Sequence, residues 1–140
     1  MFKDSSYPAL AGRILIALPF LLSGVGKVAA PAMTQGYIAA VGLPLPAVAY
    51  AVAVAAEVGG GLLLLAGYKT RAIAAALAIF VLATALGFHT NFADQNQMIH
   101  FLKNLMIMGG LLQVAAFGAG RFSLDARLGA GRSAGFGTAA

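Results

Sequence analysis

Residues 47–67 read AVAYAVAVAAEVGGGLLLLAG, an apolar run in which only Glu57 can carry a charge. About 20 apolar residues in a row, rising 1.5 Å each as a helix, match the ~30 Å hydrocarbon layer of a bilayer. An ionisable group at the centre of such a helix is costly unless something pairs with it, so Glu57 needs a partner.

The rest of the chain is of the same kind. Its 140 residues are 61% hydrophobic and only 9% charged, with a mean hydropathy of +0.89, whereas soluble domains carry roughly a quarter charged residues. The apolar residues come in continuous runs and do not alternate in ~10-residue segments, which argues against a β-barrel. The fold class expected is all-α, an integral membrane four-helix bundle with spans at about 8–30, 47–67, 72–89 and 98–118. These make one transmembrane domain, 1–127, followed by a Gly- and Ala-rich stretch, 128–140, read as a disordered cytoplasmic tail. The first span imitates a signal peptide, but Pro31 directly after the small residues Val28, Ala29 and Ala30 would block cleavage, so it is read as a retained helix.

The connections differ in character. Residues 31–46 are punctuated by Pro and Gly and are expected to run extended before the second span. Gly67, Tyr68, Lys69, Thr70 and Arg71 form a tight basic turn that makes spans two and three antiparallel neighbours, while 89–97 is polar. With four spans both termini share one side. Lys3, Arg13, Lys69, Arg71, Arg121, Arg127 and Arg132 fall there, against Lys27 and Lys103 opposite, which predicts cytoplasmic N and C termini. The net charge of +5 thus reflects topology, and the absence of interleaved aromatics argues against a nucleic-acid partner. The chain has no cysteine, so thiol-disulfide chemistry and thiolate-ligated metals are outside its own repertoire.

The polar residues inside the spans are few. Arg13, Phe20 and Lys27 recur every seven residues with Gly24 between them, within ~40° of one helix face, which should point into the bundle. Depth selects partners for Glu57. Measured from the external ends, Glu57 lies ~15 Å in, Lys103 ~8 Å and Lys27 ~5 Å. A lysine reaches about 6 Å and tends to snorkel outward, so Lys103 is expected as the main partner with Lys27 as a second cation. Lys27, Glu57, His89, His100, Lys103 and Asn104 are the candidate residues for a pocket that takes a quinone headgroup; a buried ion pair holding the helices in register is the plainer reading of the same residues. His89 and His100 stand at helix ends beside polar loops, and with only Asp94 as a nearby carboxylate no metal site is assigned. Ser23 and Ser123 have no base at motif spacing and are not read as nucleophiles.

Taken together, Arg13 to Lys27 (RILIALPFLLSGVGK), Glu57 to Arg71 (EVGGGLLLLAGYKTR), His100 to Leu112 (HFLKNLMIMGGLL) and Gly118 to Asp125 (GAGRFSLD) resemble the DoxX family of small four-helix bacterial inner-membrane proteins. The resemblance implies four helices and an inner-membrane location, and it places Arg13, Lys27, Glu57, Lys103, Asn104 and Asp125 among the family's characteristic polar positions. It also implies membrane redox chemistry, since the family is named from a subunit linked to thiosulfate oxidation coupled to quinone. Lys69, Arg71 and Arg121 are read as topology determinants, and Asp125 as a cap or docking element. The expected function is the membrane component of a quinone-linked oxidoreductase or redox and stress-defence complex, with the lipid bilayer, other complex subunits and a second copy of the chain as partners. A noncatalytic anchor or assembly subunit is the alternative, and a small-solute or proton-coupled carrier a third reading, disfavoured by four spans without broken helices.

Overall fold

The computed structural model describes residues 6–134 and, among them, is entirely helical. Four helical segments are long and apolar enough to cross a membrane: Ser6–Ala29, Pro46–Ala66, Thr70–Phe88 and Gln95–Phe117. Each lies within a few residues of the span read from hydropathy. We call the first α1; the second is built from α3 (Pro46–Val54), a π-helical segment (Ala55–Gly60) and α4 (Gly61–Ala66); the third and fourth are α5 and α6. Two further helices, α2 (Pro31–Ala40) and α7 (Leu124–Ala134), lie in the connection and at the end of the chain.

The connection after α1 therefore departs from the extended run expected. Pro31 occupies the first turn of α2, where its missing N–H is no loss and its fixed φ suits a helix. The helix then closes at Val41 and Gly42, the latter with φ +81°, so the Pro and Gly punctuation starts and stops a helix instead of excluding one. The segment after Gly118 also departs from expectation, because α7 extends through part of 128–140. Ser123 caps it: its hydroxyl accepts from the Ala126 amide at 3.2 Å and donates to the Gly120 carbonyl at 2.6 Å. Lys3 and the residues 135–140 lie outside the described residues.

The core is small and sits between the helices. Ala17 and Phe20 of α1, Leu64 of α4, Ala74, Leu77, Ala78 and Val81 of α5 and Leu111 of α6 are buried together, with α5 and α6 packed most extensively. Small residues set the spacing, and the large apolar side chains face outward: Leu15, Leu22, Ile79, Met106 and Phe117 are all exposed. An exterior of this kind is stable only against hydrocarbon, which is the solvent these helices require.

Close approach is decided at glycines. A Cβ on Gly24 of α1 would meet Val58 Cγ2 at 2.6 Å and the Val58 backbone nitrogen at 3.1 Å, so α1 lies directly against the π segment. Gly26, two residues on, has nothing within 4 Å. Gly24→Leu is accordingly expected to destabilise the bundle by about 1–3 kcal/mol through overpacking. Gly26→Leu should leave the thermal midpoint of the detergent-solubilised protein unchanged, and equal midpoints for the two variants would refute the packing assigned to α1.

Candidate functional site

Two polar centres are built into the bundle. The first belongs to α1 and the second span. Lys27, in the last turn of α1, places its ammonium 2.9 Å from Glu57 Oε1 and 2.9 Å from Oε2, with the hydrogen bond directed to Oε1. The same ammonium donates to Ser23 Oγ one turn back at 2.8 Å, and the Tyr50 hydroxyl donates to the Lys27 carbonyl at 3.3 Å. Glu57 is 7% exposed, whereas the Lys27 side chain keeps 26%, so the pair can be approached only from the lysine.

The backbone at Glu57 is unusual. Ala55–Gly60 adopts π-helical hydrogen bonding, which adds a residue to the turn, occurs mostly as single turns inside α-helices and is frequent at functional sites. Gly60 and Gly61 then fit against different helices, Gly60 against Leu77 of α5 and Gly61 against Leu21 and Phe20 of α1. The widened turn thus carries the carboxylate where three elements meet.

This arrangement corrects the partner expected from depth. Lys27 pairs with Glu57, while Lys103 is exposed on α6 and has no ion-pair partner among the described residues. Axial position alone favours Lys103, but rotation about the helix axis decides which lysine faces the carboxylate. Lys27 shares the inward face of Arg13, Phe20 and Gly24, all three of them buried. Asn104 is half-buried beside Lys103 on α6. His89 and His100 come together elsewhere: their rings stack at 5.1 Å between centroids, and His89 Nδ1 lies 2.9 Å from Gln97 Oε1. Phe88 beside them stacks on Tyr37 of α2 at 5.6 Å. Among the described residues no group of three His, Asp or Glu is placed to hold a metal ion.

The second polar centre is at the end of the bundle where α1 begins and α6 ends. Gly67, with φ +70°, closes the second span as a Schellman turn, its N–H donating to the Leu64 carbonyl and that of Tyr68 to Leu63. The Arg13 guanidinium, 1% exposed, donates to the Leu64 carbonyl at 3.2 Å, the Leu65 carbonyl at 3.1 Å and the Phe122 carbonyl. Asp125 completes the turn from the other side, its carboxylate accepting from the Lys69 amide at 2.7 Å and the Thr70 amide at 2.8 Å. The Asp125 amide in turn donates to the Gly67 carbonyl at 2.9 Å. A cation thus sits at the C-terminus of one span and an anion at the N-terminus of the next, each matching the helix dipole. Asp125 thereby covers the first amides of α5. Lys69 and Arg71 flank the turn as exposed cations, and Arg121 lies 5.6 Å over the Phe122 ring.

Ser23 and Tyr50 join the first centre, Ser123 borders the second and Gln97 bonds to His89, and the residue pattern marks none of them as a member. Ser123 alone carried a readable signal, a serine three residues before the amide it caps.

Fold and polar centres together define a four-span integral membrane protein with a single ion pair inside the bundle among the described residues. The chain belongs to the DoxX family, whose model matches residues 9–90. It is 43% identical to inner membrane protein YqjF of Escherichia coli (strain K12) over 128 residues, 89% of this chain and 95% of that one. It is 37% identical to inner membrane protein YphA of the same organism over 123 residues, 84% of this chain and 88% of that one. No solved structure matches it. The protein is an inner-membrane protein, with the bilayer as its surroundings.

Burial raises the pKa of the Asp125 carboxyl as the largest single influence. The amide and hydroxyl of Thr70, the amide of Lys69 and the charge of Arg13 together outweigh it and hold the group below its usual range. A carboxyl depressed on folding adds stability that is present above the unfolded value, about 4, and is lost as the pH falls through the folded value. Thermal midpoints measured from about pH 6 downward should therefore fall in the wild type through this range and fall less steeply in Asp125→Asn; parallel profiles would refute the capping role. For the other centre, Lys27→Met or Glu57→Leu alone should each lower stability by about 3 kcal/mol, and the double variant should recover part of it. Lys103→Leu should have no effect, and a double-mutant cycle coupling Glu57 to Lys103 instead of Lys27 would overturn the pairing.

Proposed function

We propose that the protein is the membrane component of a quinone-linked redox complex, with the Lys27–Glu57 pair as the place where a quinone headgroup docks. The observation that carries this reading is a π-helical turn holding a buried carboxylate against a lysine that remains 26% exposed. Structural pairs need no such turn, and the extra residue gives the carboxylate a position that a regular helix would not.

The residues present suit a carbonyl-bearing ring. Lys27 and Ser23 carry hydrogen-bond donors that can turn toward a carbonyl oxygen, and Glu57 fixes the position of the Lys27 ammonium. A bound quinone would supply two-electron carrier chemistry, with the electrons coming from a partner subunit. The chain's own part is to bind and orient the ring, and to hold a proton between the ammonium of Lys27 and the carboxylate of Glu57. The distribution of Lys and Arg favours a cytoplasmic location for both termini, so the pair would open toward the external side. Support for the redox direction comes from the family resemblance rather than from the names of the relatives, which state only a membrane location.

An anchor or assembly subunit is the second reading, favoured by the close ion pair that Lys27 makes with buried Glu57. Mass spectrometry of protein extracted in mild detergent separates the two. The quinone reading expects co-extracted quinone that falls about tenfold or more in Glu57→Gln and in Lys27→Met, the scale of one charge-assisted hydrogen bond. Quinone-free wild-type protein, copurifying with its partner whether or not the pair is intact, would establish the anchor instead.

A further inference from the structure

We propose that the Arg13 end of the bundle binds an anionic phospholipid, with its phosphodiester headgroup in the cavity beside Lys69 and Arg71 and its acyl chains along the apolar exterior. The cavity measures about 520 Å³ and is bounded by Lys69, Thr70 and Arg71 at the start of α5, by Gly118 and Gly120, and by Asp125 of α7. That volume lies in the range of small-ligand sites and accommodates a glycerophosphate group. A second recess of about 420 Å³ shares Lys69 and Asp125 and runs on to Leu128.

The charges around this space do not cancel. Lys69 and Arg71, both in its wall, are exposed and form no ion pair among the described residues. The Lys69 ammonium rests 5.8 Å over the Tyr68 ring, and the Arg71 side chain lies along Gly118, where a Cβ would come within 3.4 Å of Nε. The carboxylate in the cavity wall, Asp125, is already compensated by two backbone amides and by buried Arg13. A surplus of cation therefore faces the cavity, as an anionic headgroup requires. The apolar surroundings select a lipid over a free phosphate: Phe117, Leu124 and Leu128 at this end are 79%, 42% and 56% exposed and offer a path for acyl chains. Position favours the same ligand, because the cavity opens where spans two, three and four end, at headgroup level. The site is at the opposite end of the bundle from Lys27, so it stands apart from the quinone reading.

Native mass spectrometry of the full chain in mild detergent, titrated with phosphatidylglycerol, phosphatidylethanolamine or inorganic phosphate, tests the proposal. Phosphatidylglycerol should be retained in preference to phosphatidylethanolamine, and Lys69→Gln with Arg71→Gln should weaken its retention about 30-fold. Ala72→Trp, which fills the cavity from an exposed wall position and leaves every charge in place, should weaken it as well and decides the matter if the double variant does not fold. Lys103→Gln, removing an exposed cation at the other end, should not. Equal retention of the two lipids, equal loss with Lys103→Gln, full retention in folded Ala72→Trp, or displacement of the lipid by equimolar inorganic phosphate would each overturn the site.

Discussion

The bundle depends on how its backbone is satisfied where the helices stop. A carbonyl buried inside the bundle at the end of a span cannot reach water, and each such group left without a donor is costly. Arg13 meets that need for the second span, offering one guanidinium to carbonyls of Leu64, Leu65 and Phe122. Asp125 meets the matching need for the third span by accepting from Lys69 and Thr70. Because Arg13 comes from α1 and Asp125 from α7, closing one turn also ties the first helix and the last to the centre. The crowding is tight enough that a side chain at Gly67 would strike both Arg13 and Ser123.

The Lys27–Glu57 pair is constrained differently. It is enclosed on the carboxylate side and open on the lysine side, and its geometry rests on Gly24, which brings the α1 backbone against Val58, and on a π turn that places the carboxylate. The two centres divide the molecule: a closed clasp at the Arg13 end, and at the other a charge pair with one member still accessible. Arg13 is 1% exposed and the Lys27 side chain 26%, so the first centre is closed to its surroundings and the second is open at its lysine.

Much of this was legible in the residues. The spans could be read from length and hydropathy because hydrocarbon thickness dictates both. The inward face of α1 could be read from the seven-residue spacing of Arg13, Phe20 and Lys27, and the requirement for a partner at Glu57 from the cost of a lone charge. Depth points to Lys103, but the rotation of each helix decides which lysine faces inward, and that lysine is Lys27. The π turn had no readable signal, since three glycines in a row fit a regular helix as well. The helix of residues 31–40 was hidden by reading Pro as a breaker where it served as a first-turn residue.

Sequence by itself determined that this chain lives in a membrane, that it crosses it four times, and that a carboxylate in the second span must be neutralised, because transfer of apolar and charged groups between water and hydrocarbon depends on residue type more than on neighbours. Only the tertiary structure decided which lysine neutralises it, that Arg13 is spent on backbone carbonyls and not on a side chain, and that Asp125 returns to cap a helix it does not belong to. Those outcomes depend on distances of about 3 Å between groups far apart in the chain, which helix rotation and close packing at glycine set and hydropathy does not record.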